Sequence, residues 1–67
     1  MHIRNAVRGD MVRITRDSKE MVGIFLGFKQ VVKLIVGDHV WRDDMVEVLV
    51  GETNMLFNID EVVVVDA

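Results

Sequence analysis

The chain has no cysteine and no tyrosine, a single serine, and two alanines among its 67 residues. Without cysteine there is no disulfide to staple a small fold, no thiolate site for zinc and no nucleophilic thiol. Ser18 stands in a polar stretch expected to be a turn, so a serine nucleophile has no framework around it. The scarcity of alanine removes the strongest helix former. No run approaches the ~18 uncharged apolar residues of a membrane-spanning helix, and no signal peptide is expected ahead of the fold. An enzyme is not expected, and neither is a membrane protein.

What is present is valine, the commonest residue in a chain that is 51% hydrophobic. Valine is branched at Cβ, stiff at its first torsion, and suits a pleated surface better than a helix. The expectation is an all-β fold forming one domain over residues 1–67. A chain this short hides only about 60% of the surface its unfolded form exposes. With disulfides excluded, either an efficient core or a partner subunit must supply the margin.

Charge is unevenly placed. Residues 1–36 carry seven basic and three acidic groups, and residues 37–67 carry one basic and eight acidic, for a net charge of −3. Such a split can steer contact between copies or with a charged partner. Strands that interleave in space would instead mix the two halves.

Glycines and acidic turns divide the chain. Val12 and Ile14 alternate with Arg13 and Thr15, which predicts a half-buried strand. After the polar turn at residues 17–20, Val22, Ile24, Leu26 and Phe28 share one face and Gly23, Phe25 and Gly27 the other. The larger side chains predict a core of Val12, Ile14, Ile24, Leu26, Phe28, Val46, Val48 and Val50. Residues 31–36 are nearly continuous apolar sequence, and Gly37-Asp38 reads as a tight hairpin turn into residues 39–42. Residues 45–50 and 54–58 predict two more strands. A helical turn over residues 59–61 and a closing strand over residues 62–65 complete the reading.

This order of parts, with its opening Gly-Asp-x-Val, its Val-Gly-Ile-Phe-Leu-Gly-Phe strand and its final Phe-Asn-Ile-Asp-Glu-Val-Val-Val-Val, resembles small Src-homology-3-like β-barrels. It is also similar to short accessory proteins of tailed bacteriophages. The resemblance covers residues 9–65 and implies a five- or six-stranded barrel, with an extra hairpin around residues 31–42. Sm-like barrels share the same strand logic. The phage likeness implies a head or tail component, located in the virion or the host cytoplasm.

Three candidate surfaces follow. Asp38, His39, Asp43 and Asp44 combine carboxylates with an imidazole but match no metal-ligand spacing, so two acidic turns around a short strand are expected instead. His2 and His39 have no partner at nucleophile–base spacing. Arg4, Arg8, Arg13, Arg16 and Phe25 would form a nucleic-acid surface if they converged, although a pI near 5.1 argues against one. The apolar runs weigh more. Val31, Val32, Leu34, Ile35, Val36, Val40, Trp41, Val63 and Val65 exceed what one small core can cover, which predicts a protein interface. The expected function is a non-enzymatic interaction or structural module that self-associates or docks on a larger assembly. A nucleic-acid-binding or regulatory barrel is the alternative. No cofactor, metal or small-molecule substrate is expected.

Overall fold

A computed structural model describes residues 3–65 of the chain. Five strands, β1 (Met11–Arg16), β2 (Lys19–Val36), β3 (His39–Val50), β4 (Thr53–Asn58) and β5 (Val62–Val64), form one antiparallel sheet. The strand order is β4-β3-β2-β1-β5. Two short 3₁₀ turns, η1 (Ile3–Asn5) and η2 (Ile59–Glu61), flank the sheet. The all-β expectation holds. The strand count is five rather than six, and the sheet is not closed, since β4 and β5 stand at its two edges with no ladder joining them.

Consecutive strands β1 to β4 are joined by two-residue loops. In the first, Asp17 and Ser18 both adopt positive φ, 52° and 64°. That is the sign pattern of a type I′ turn, which matches the twist of the strands it joins. Gly37 (φ 57°) and Gly51 (φ 63°) take the first loop position of the other two hairpins, where a side chain would be strained.

The core lies on one face of the sheet. Val12 and Ile14 of β1, Phe25 of β2, Val46 and Val48 of β3, Phe57 of β4 and Val62 of β5 are buried there, with Ile3 of η1. Met21, Val50, Met55, Ile59 and Val64 pack around them. Alternation on β1 and β3 is as expected from the sequence. On β2 the faces are reversed: Phe25 is 3% exposed and Gly23 is buried, whereas Val22 is exposed and Ile24 and Leu26 are half-buried. Phe28, expected in the core, is 46% exposed.

Two features set the faces of β2, the first reversing them and the second switching them back. At Gly23 a Cβ would lie 2.5 Å from Val48 Cγ1 and 2.7 Å from the Leu49 carbonyl oxygen. The sheet coils so tightly here that only glycine fits on the inner face. Two residues later the register shifts between Phe25 and Gly27, leaving Leu26 as an extra residue. Such a bulge flips the alternation. It brings Phe28 to the same side as Phe25, their rings edge to face at 5.2 Å.

The C-terminal part is tied down by Arg16. Its guanidinium donates to both carboxylate oxygens of Glu61 in η2, to the Leu56 carbonyl, and lies 4.6 Å from the centre of the Phe57 ring. At the other end Gly9 N–H donates to Phe25 O, Phe25 N–H to Asp10 O, and Val65 N–H to Met11 O, which extends the ladders beyond the strands proper.

Candidate docking surface

Strand β2 has 18 residues and β3 has 12, twice or more the length of β1 and β4. The apolar hairpin expected at residues 31–42 is therefore no separate insertion. It is the continuation of β2 and β3 past their other neighbours. The β1 ladder on β2 reaches Ile24, and the β4 ladder on β3 begins at Met45. Beyond those points, over residues 29–44, the two strands pair with each other alone. The result is a two-stranded arm. It lengthens the molecule to 46 Å against 24 and 21 Å across, and raises the radius of gyration to 13.0 Å. A compact chain of this size would have about 11 Å.

Register assigns the arm's side chains to its two faces. On the face continuous with the core lie Phe28, Gln30, Val32 and Ile35 of β2, with Val40, Arg42 and Asp44 of β3. A second register shift, between Val32 and Leu34, leaves Lys33 as the extra residue. On the opposite face lie Lys29, Val31, Leu34 and Val36, with His39, Trp41 and Asp43. Lys33 belongs to this second face, since its Nζ lies 3.5 Å from Asp43 Oδ2.

Both faces carry apolar side chains open to water among their polar ones. Val31, Val32, Leu34, Val36 and Val40 are exposed, Ile35 is 62% exposed, and Trp41 is 53% exposed with its ring against the His39 imidazole at 4.3 Å. These seven residues stand together on one arm. Val63 and Val65 are also exposed but lie elsewhere. Val63 pairs with Arg13 at the far edge of the sheet, and Val65 follows it beside Met11. The sheet does not join them to the arm. Phe28, Val22 and Met11 are exposed apolar residues that sequence patterning did not mark. Val22 was hidden by the reversed face of β2, whereas Phe28 lies on the core side but where the core ends.

The arginines are dispersed. Arg4 lies in η1, and Arg8 reaches the Leu26 carbonyl at 3.5 Å. Arg13 projects from the outer face of β1, between Val22 and Val63, whereas Arg16 is committed to Glu61. Phe25, the aromatic proposed to stack on bases, is a core residue and is unavailable for that purpose. The acidic cluster is divided as well. Asp43 and Asp44, adjacent in a strand, point to opposite faces; Asp43 faces Lys33, and His39 rests on Trp41. Among the described residues no three of the acidic and histidine side chains converge on a cation-sized site. His2 lies outside the described residues. Ser18 occupies the β1–β2 loop, beside an open hollow of about 440 Å³ lined by Arg16, Asp17, Lys19, Glu20 and Met21. Comparison of the chain with protein-family models, with curated proteins and with solved structures gave no match.

Proposed function

We propose that this chain is a non-catalytic protein-docking module whose docking element is the arm at residues 29–44. One observation carries the reading: a two-stranded ribbon with exposed apolar side chains on both faces extends beyond the body of the sheet. An isolated two-stranded ribbon is marginally stable in water. Burying a fully exposed Val, Leu or Ile contributes about 1.5–3 kcal/mol, and each of these half-exposed side chains forgoes part of that. A contiguous set of such residues, with a tryptophan among them, has the character of an interface centre. Catalysis draws little support from a chain without cysteine or tyrosine, whose one serine sits in a hairpin loop.

We further propose that the sheet is an open member of the Src-homology-3-like class. Its meander order and the helical turn immediately before the last strand support this. An accessory role in a large assembly such as a phage head or tail, with the virion or host cytoplasm as its location, is the most concrete version. The reach of the arm suits such a role.

The test is site-specific photocrosslinking in cells that make the chain, with a photoreactive residue at Ile35 or Trp41 and, as a control, at Asn54 on β4. Protein adducts at the arm positions, to whatever protein, are expected in excess over the control. Equal labelling at all three positions would sink the reading. Adducts to nucleic acid rather than protein would replace it with the nucleic-acid alternative.

A further inference from the structure

We infer that the arm's partner is a second copy of this chain, added head to tail so that the β3 edge of one arm pairs with the β2 edge of the next. The inference rests on the docking role proposed above and assigns its occupant.

Both edges of the arm are open. Among the described residues, strand β2 has no partner on its β1 side past Leu26, where the contacts of Arg8, Gly9 and Asp10 end, and strand β3 has no ladder on its β4 side before Met45. Each edge therefore offers backbone donors and acceptors that an added strand would satisfy. Charge distinguishes the two edges. Along the arm β2 carries Lys29 and Lys33 and no acidic residue, whereas β3 carries Asp43 and Asp44 with Arg42. With Asp38 in the turn the arm as a whole is formally neutral, so arms do not repel one another as the chain's net −3 would suggest.

Three edge pairings are conceivable, and they differ in chemistry. Joining β2 to β2 about a two-fold at Val31 sets Lys29 opposite Lys33 of the other copy, and like charges directly opposite are unfavourable. Joining β3 to β3 uses one edge of each copy and leaves both β2 edges open, with Val31, Val32, Leu34 and Ile35 along them. Joining β3 to β2 uses both edges and keeps neighbouring strands antiparallel, in the order β2–β3–β2–β3. On the face that bears Lys29, Lys33 and Asp43, each Asp43 would lie between its own Lys33, already 3.5 Å away, and the lysines of the next copy. Opposite charges then alternate along the extended sheet. A head-to-tail contact of this kind grows into a ring or a filament rather than stopping at two.

The test is sedimentation velocity and native mass spectrometry over a concentration series of the full chain, K29E/K33E, D43K/D44K and their equimolar mixture. Near-ultraviolet circular dichroism checks the fold of each. The wild type should form species larger than a dimer. Each double variant alone should need at least about tenfold higher concentration to associate, because one of its edges now opposes a like charge. The mixture should recover assembly with the two chains in equal numbers. Should either double variant lose its fold, K29E and D43N, smaller charge changes on the same face of the arm, take their places. Undiminished association of K29E/K33E alone would indicate β3-to-β3 pairing, and that of D43K/D44K alone β2-to-β2 pairing; either result overturns the inference. A wild type that stays monomeric also overturns it. If arm photoadducts to another protein accompany that monomer, the docking role stands and only its occupant was misassigned.

Discussion

Glu61 receives two hydrogen bonds from Arg16, a residue 45 positions earlier, Nε to Oε2 at 3.0 Å and Nη2 to Oε1 at 2.9 Å. Its Oε1 also accepts the Asn58 N–H at 2.8 Å, which ties the entry of η2 to the end of β1. The hydrogen bonds from Arg16, more than any other influence, hold the Glu61 carboxyl down at about 2, from an ordinary 4.5. The same hydrogen bonding raises the pKa of Arg16, which is charged at any ordinary pH.

A carboxylate whose folded pKa is depressed stabilises the fold above its unfolded pKa and loses that contribution as pH falls toward the folded value. For Glu61 the window runs from 4.5 down to about 2. With the Glu61 side chain 19% and that of Arg16 36% exposed, solvent screening reduces the contribution to roughly 1–2 kcal/mol. Glu61→Gln should cost about that much at pH 7 and converge on the wild type near pH 2. Urea midpoints at pH 7, 4.5 and 2 measure it. A constant gap across the three would show that the ion pair is not the source.

Gly23→Ala should destabilise the fold by about 1–3 kcal/mol, because the new methyl meets backbone as well as a side chain. Adding Val48→Ala would clear the nearer contact and leave the Leu49 carbonyl in place. The double variant should therefore stay less stable than Val48→Ala alone. Equal thermal midpoints for those two proteins would show that the sheet relaxes freely at this point.

Asp17 and Ser18 hold positive φ without being glycine. Replacing them with Asn-Gly, the pair best suited to a type I′ turn, should raise stability by about 0.5–1 kcal/mol. Chemical denaturation would detect the gain, and a loss would mean that these side chains make contacts the turn depends on.

Amides of residues 29–44 should exchange with solvent faster than those of Val12, Ile14, Val46 and Val48 when the chain is dilute. The arm has one ladder and no core beneath it. Its exchange should slow as concentration rises and copies pair. Hydrogen-exchange mass spectrometry resolves both effects, and arm protection equal to that of the core at every dilution would contradict this description of the arm.

Much of the fold was legible in the sequence because β1, β3 and the turns obey local rules. Val12/Ile14 and Val46/Val48 alternate with polar or outward positions, and the glycines of two hairpins stand where positive φ is needed. Strand β2 misled because its larger residues, Val22 to Phe28, alternate as a core face would. The winning constraint is nonlocal: the approach of Val48 and Leu49 to Gly23, which no pattern within β2 encodes. The arm's apolar excess was visible, but its form was not. Asp43-Asp44 looked like a strand end, yet a two-stranded ribbon exposed on both faces accommodates acidic pairs mid-strand. The role of Arg16 was likewise hidden, since its partner lies at the far end of the chain.

The strand order has a kinetic consequence. Strands β1 to β4 each pair with the next in sequence, so three ladders close by two-residue loops at small entropic cost. Only β5 must travel back, pairing Val62 with Ile14 and Val64 with Val12. Its docking is the one step that spans most of the chain, and it brings just three residues into register. Such a strand is expected to join after the rate-limiting barrier, when the meander already presents β1 as a template. Val62→Ala should then speed unfolding and leave the folding rate nearly unchanged in stopped-flow chevrons. A slower folding arm with an unaltered unfolding arm would instead place β5 in the nucleus.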